Sequence, residues 1–302
     1  MSVFVRRAGL VGVLCANLVV AACQTPEAPP AAPPPAPLPD IALNSSVAEA
    51  AAIYLSYAGT ASSLPSNFAN GDEIRQSMLR AAAYEPVQLS RGIVAYAAIV
   101  ALQSPEFVNG VRGMAADPAN RDTLIRQIIA DPAYATQLPG AAEAAGLISS
   151  QLQGTGTSMY SAGSAIKQTA YDIQHQRWST QRITDRESRL EQVRVLGVTP
   201  LNPDYSASAT LQQSALSGHG LNLAPAAGTP PYTQAVVRGL ALAALAALGQ
   251  AGENNRLQTD ARLNEPVSAD CLSFTRLMIL QCLAASRPHY EEIFCLGQHL
   301  VM

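Results

Sequence analysis

The sequence predicts an all-α fold, a multi-helix domain with one long helix rich in small residues and a helical hairpin at its C-terminal end. Three observations predict it. From Ile41 onward, apolar residues recur three and four positions apart, the spacing of one helix face. Capping residues stand directly before prolines at Ser104-Pro105, Asp117-Pro118 and Asp131-Pro132, and proline suits only the first helical position. Charged residues are only 14% of the 302, against ~25% in a typical domain. Such helices must bury wide faces or pack against partners.

In chain order, Ser46 is placed to cap a helix through about Ala61, with Val47, Ala51, Tyr54, Leu55 and Ala58 on one face. Residues 62–70, with Pro65 and Asn67, read as a loop. Asp72 and Glu73 open a short helix toward Tyr84, since acidic side chains suit the positive end of the helix dipole. Pro86 starts the next helix, which runs to Gln103 with Leu89, Ile93, Tyr96, Ala97 and Val100 inward. The three capped starts that follow are 13 and 14 residues apart, well short of the ~33–47-residue period of helical repeats. They read as short helices folding back on one another, with Phe107, Val111, Met114, Leu124, Ile128 and Tyr134 inward.

Pro139-Gly140 begins the long helix. Leu152, Gly156, Met159, Gly163, Ile166, Ala170 and Ile173 alternate four and three apart, a seam of mostly small residues that lets a neighbour approach closely. Gly154, Gly156 and Gly163 each weaken a helix by ~1 kcal/mol relative to alanine. Either the helix breaks near Gly154 or tight packing compensates. Ser179 or Thr180 restarts a helix through Leu196, with Ile183, Leu190 and Val193 toward the core and an i,i+4 pair between Asp185 and Arg189. Its arginines at 177, 182, 186, 189 and 194 read either as a solvated face or as a patch for an anionic glycan. Residues 197–231 read as loop-rich, the best candidate for a mobile or gating segment. Thr233 caps an apolar helix through Leu248 that is expected to be buried all round. The segment from Ala269 to Met302 reads as two helices about Arg287-Pro288. Val236, Leu240, Leu245, Leu248, Phe274 and Leu277 are expected in the core.

The N-terminal segment has a different character. A short start with Arg6 and Arg7 precedes an apolar run from Gly9 to Val20. That run is too short for a bilayer core, which needs ~20 apolar residues, and is the length of a secretory signal. It ends in Val20-Ala21-Ala22-Cys23, which resembles the lipobox of bacterial lipoproteins. The resemblance covers only this segment. It implies residues 1–22 as a signal peptide, cleavage after Ala22, and acyl chains on Cys23 that anchor the protein in a lipid bilayer. The alternative is an ordinary secreted protein cut nearby, or an uncleaved anchor. Gln24 follows Cys23 where the class retains inner-membrane members with aspartate, so the resemblance implies an outer-membrane lipoprotein facing the periplasm. Residues 23–40 then form a tether whose eight prolines favour an extended polyproline II path, with a reach of ~50 Å. The helical domain is residues 41–302. Loss of Arg6 and Arg7 with the leader makes the chain more acidic than the −3 of the whole, which argues against nucleic acid as a partner.

Cys15 leaves with the signal and Cys23 is lipidated, so Cys271, Cys282 and Cys295 stay in the domain. An oxidising compartment favours a disulfide where geometry allows. On one helix, Cys271 and Cys282 are ~16 Å apart, too far for a bridge. Folding the chain at Pro288-His289 sets Cys282 opposite Cys295. The expectation is a Cys282–Cys295 bridge, with Cys271 a buried or intermolecular thiol. The rival is a metal site of Cys282, Cys295 and His299, the last two at i,i+4.

Catalytic constellations are sparse. Glu187-Ser188 resembles the Glu-Ser step of lytic transglycosylases, in which the glutamate is the general acid. The Gly-Leu-Met-Gln-type segment of that family is absent, and arginines around Glu187 would keep it ionised. Asp172 and His175 are spaced to meet at i,i+3. No glycine-rich phosphate loop, nucleophile elbow or His-Glu-x-x-His helix appears, and no cofactor is implied. The favoured reading is a non-catalytic envelope scaffold or assembly factor with a protein partner. The alternative is a peptidoglycan-acting enzyme or glycan-binding module that uses Glu187.

Overall fold

The computed structural model describes residues 37–299, and every regular element within them is helical. The α-helices are α1 Ser45–Ser62, α2 Gly71–Ala82, α3 Pro86–Ala101, α4 Pro105–Met114, α5 Pro118–Ala130, α6 Ala141–Ile173, α7 Arg186–Leu196, α8 Tyr205–Ser217, α9 Gln234–Ala247, α10 Arg256–Arg262, α11 Pro266–Ala285 and α12 His289–His299. The lipobox, Cys23 and most of the tether lie outside the described residues. The end of the tether touches the domain, where Arg112 donates to the Pro39 carbonyl at 2.8 Å.

The proline-headed starts work as the sequence predicts. Ser104 accepts from the Phe107 amide, Asp117 from Ala119 and Asp131 from Ala133. Each satisfies a donor that helix geometry leaves open. The third start heads only a tight 3-10 turn, Pro132–Gln137. Glu85 and Glu265 cap α3 and α11 in the same way, also before prolines.

The core is layered on α3, which packs against α1 on one side and α9 on the other. Both contacts bring backbones close. A Cβ on Gly239 of α9 would stand 2.6 Å from the Ala97 Cβ of α3, so only glycine permits that crossing. Helix α9 is buried from Gly239 through Ala247, as expected of an apolar helix with alanine on most sides. Val236, Leu240, Leu245 and Leu248 are core residues.

Helix α6 runs unbroken through Gly154, Gly156 and Gly163. The compensation is visible in its C-terminal half, where α12 lies along it. A Cβ on Gly297 of α12 would stand 2.7 Å from the Gly163 carbonyl oxygen, so the small-residue seam does admit a close neighbour. Gly163, Ile166 and Ala170 are buried there, whereas Gly154 and Gly156 lie exposed.

Four expectations are corrected. Helix α7 starts at Arg186 rather than near Ser179, because Ser179 is committed elsewhere. Its buried hydroxyl donates to the Ile173 carbonyl and its own carbonyl accepts from the Tyr290 amide. Residues 197–231 contain α8, capped by Asp204 and closed by Gly218 at φ +71°. Beyond α8, the Gly228 amide donates to the Ala142 carbonyl at 2.7 Å, which lays this part of the stretch against α6. Met114 is 40% exposed at the end of α4. Phe274 and Leu277 of α11 are 62% and 50% exposed, although both are apolar.

Candidate functional site

The exposure of Phe274 and Leu277 follows from how α11 is held. Its inward positions are Ala269, Leu272, Arg276, Ile279 and Leu283, alternating three and four apart. Arg276 sits in the middle of this apolar face and is buried. It donates to Val193 and Arg194 carbonyls at 2.8 and 2.7 Å, and to the Ala82 carbonyl at 3.4 Å. These are carbonyls of the last turns of α7 and α2, which carry partial negative charge; Val193 and Ala82 also accept from the Gly197 and Tyr84 amides. One guanidinium therefore binds two helix ends and fixes which side of α11 faces in. Burial lowers the Arg276 pKa from its ordinary value.

The outward positions form a second seam. Val267, Cys271, Phe274, Met278, Gln281 and Ala285 are spaced four, three, four, three and four apart, an uninterrupted heptad. They lie about half a turn from the inward row. All are exposed except half-buried Met278, and Leu277 flanks them. Helix α11 is thus apolar on both faces but covered on one.

Helix α12 holds the other end of α11. Cys282 and Cys295 are joined by a disulfide with Cα atoms 5.6 Å apart, as the fold-back at Pro288 predicts. Its sulfurs are therefore not thiolates for the rival metal site with His299, whose pKa is lowered by burial. Cys271 is a free thiol and exposed rather than buried.

A buried ionic cluster, which sequence reasoning missed, ties α7 to α12. Arg189 binds Asp185 at 2.7 Å, the predicted i,i+4 pair, and also Glu292 at 3.1 Å and the Gly71 carbonyl at 2.8 Å. Glu292 is 2% exposed and also meets His289 Nδ1 at 3.3 Å. Burial raises the Glu292 carboxyl to about 7, against the pull of Arg189. Burial and Arg189 lower His289. The i,i+4 pair was legible, but the charge it meets across the fold lies 103 residues away. Arg189 and Glu292 are buried while Asp185 reaches the surface, and the contacts tie α7, α12 and the start of α2 together.

The other expected sites do not converge. Glu187 projects from α7 with its side chain 93% exposed, beside Arg186. The groove between α2 and α7 is lined by Leu79, Ser188, Glu191, Gln192, Val195 and Leu196, not by Glu187. The arginines expected as a patch are dispersed, for Arg189 is buried, Arg186 reaches the Ala284 carbonyl and Arg194 pairs with Glu191. Asp172 accepts from Gln168, and no hydrogen bond links it to exposed His175 among the described residues.

A cavity of about 200 Å³ lies among Tyr54, Tyr57 and Tyr84, roofed by Met159 and Leu272. It is smaller than the ~300–1,000 Å³ of ordinary ligand pockets. The hydroxyls of Tyr57 and Tyr84 donate to the Ala81 and Leu272 carbonyls. Burial pushes Tyr84 up to about 12, so its phenol stays protonated and structural. At the α4–α6 junction Glu143 accepts from Ser104 at 3.0 Å, and a hydrogen bond with Glu143 raises the exposed Glu106 carboxyl. Of these features, the outward seam of α11 is the one that leaves apolar side chains unpartnered along a whole element. No known family model, curated protein or solved structure matches the chain.

Proposed function

We propose that this chain is a lipid-anchored, non-catalytic helical interaction protein of a bacterial outer membrane, facing the periplasm and docking a protein partner through the outward seam of α11. The lipobox at Val20-Ala21-Ala22-Cys23 supports the anchor, and the proline-rich tether supports a domain held away from the lipid. The observation that carries the docking role is the exposure of Val267, Phe274 and Leu277 on one helix face, at 63%, 62% and 50%. Scattered exposed apolar residues are normal, but a contiguous row marks an interaction surface. Glu187, 93% exposed and not among the residues lining the α2–α7 groove, lends a peptidoglycan-cleaving role little support.

The test has two arms. A photo-crosslinking amino acid at Phe274 should trap a discrete product in intact cells, and one at exposed Gln153 on α6 should not. Cys23→Ser should release the chain from the membrane fraction. Absence of any product from position 274 would sink the docking role. Muropeptide release that disappears in Glu187→Gln would replace it with the enzymatic one.

A further inference from the structure

We infer that the partner on the outward seam of α11 is a second copy of this chain, aligned in parallel and locked by a Cys271–Cys271 disulfide across the two-fold axis. The inference rests on the docking role proposed for α11 and names its occupant.

The seam supplies the register. Cys271, Met278 and Ala285 occupy one heptad position, and Val267, Phe274 and Gln281 the other. In a parallel pair each such residue meets its own counterpart. An antiparallel pair centred on Cys271 would leave positions 278–285 without a partner, because the helix begins only at Pro266. The parallel pair uses the whole exposed row. A two-fold interface of this kind is self-complementary by symmetry and closes at two copies.

The area fits a dimer that needs a covalent lock. Helix α11 has 20 residues, so its outward half-cylinder is ~30 Å long and ~10–12 Å across, roughly 500 Å² per copy. The total of roughly 1,000 Å² stands at the lower edge of a stable interface. Cys271 lies within this row rather than beside it, exposed and unpaired in the chain. Helices packed ~9–10 Å apart bring facing Cα atoms, each ~2.3 Å off its axis, to ~4.4–5.4 Å. A disulfide spans ~4.4–6.8 Å between Cα atoms.

The redox step balances through exchange. The two Cys271 thiols lose two protons and two electrons as their sulfurs join. A protein disulfide of the compartment accepts them and is reduced to two thiols, by way of a mixed disulfide. The Cys282–Cys295 bridge within the chain calls for the same class of oxidant.

The experiment uses the full-length chain in an oxidising bacterial envelope, with thiols alkylated at lysis. Non-reducing electrophoresis should show most of the chain at twice its monomer mass. Reduction should collapse that band, and Cys271→Ser should abolish it. Phe274→Glu should lower the linked fraction at least tenfold, with circular dichroism and the Cys282–Cys295 bridge unchanged. In a Cys271→Ser background, Met278→Cys should restore the link and Ser273→Cys, off the seam, should not. A chain that stays monomeric with a free thiol at 271 overturns the inference. So does a doubled band indifferent to Phe274→Glu, which would report random collision. A product at 274 that contains a different protein overturns the second copy while the docking role stands. No product at 274 removes both.

Discussion

Helices α9 and α11 are both apolar, and the fold treats them oppositely. Helix α9 is enclosed by α3, α4, α5 and α6, and its alanines and glycine allow neighbours on every side. Helix α11 has 20 residues and is long and apolar enough to cross a bilayer by length and composition alone. Yet it buries Ala269, Arg276, Ile279 and Leu283 and turns Val267, Phe274 and Leu277 outward. Composition sets how much surface a helix would gain by burial. It does not set how many neighbours arrive to cover that surface. What orients α11 is its one buried charge, Arg276, drawn to carbonyls of the last turns of α2 and α7.

The largest expected effect probes the enclosed helix. Leu240→Ala should cost about 2–5 kcal/mol, because the fully buried site leaves a cavity that close packing cannot collapse. A cost near zero in a denaturant titration would mean that α9 is not the centre of the core. Next comes the link between α11 and α12. Replacing Cys282 and Cys295 by serine should cost about 2–4 kcal/mol, since the bridge closes a loop of 13 residues. If stability is unchanged, the inward seam and Arg276 hold α11 without it.

A smaller effect lies in the pH dependence of the cluster beneath α12. The Glu292 carboxyl is raised to about 7 in the fold from an ordinary 4.5. The folded chain therefore holds a proton there that the unfolded chain has released. This stabilisation is complete below about 4.5 and lost as pH rises through about 7, at roughly 1 kcal/mol per pH unit between them. His289 works the other way, because its lowered pKa removes stability as pH falls below 6.5. Glu292→Gln stays neutral, so the difference between parent and variant stability should grow toward acid and flatten below pH 4.5. A difference independent of pH would mean that Arg189 keeps Glu292 charged throughout.

The smallest effect sharpens the comparison most. In a Cys271→Ser background, Phe274→Ala should shift unfolding by no more than about 0.5 kcal/mol, as surface substitutions do. Ile279→Ala, five residues on but facing in, should cost several times as much. Equal costs would place both faces of α11 in the core and remove the docking surface.

Most helices were legible because their signals are local. A capping side chain followed by proline satisfies the first turn whatever surrounds it, as at Ser104, Asp117 and Asp131. Helix α8 was hidden because its serines, alanines and threonine show no apolar contrast beyond Leu211 and Leu216. The hairpin disulfide was legible because Pro288 fixes the fold-back and both cysteines are near it in the chain. The Arg189–Glu292 contact was not, because it joins two helices that the chain reaches by unrelated routes.

By itself, the sequence determined the all-α class, the starts of α1 to α6, α9 and α12, the burial of α9 and the Cys282–Cys295 pairing, each of which depends on residues close in the chain. Only the tertiary structure decided which face of α11 is covered, that Arg189 and Glu292 share a buried charge cluster, and that Cys271 stands exposed. The physical reason is that periodicity marks an apolar face only against a polar one. Helix α11 carries two such faces, and the choice between them is made by carbonyls at the ends of other helices.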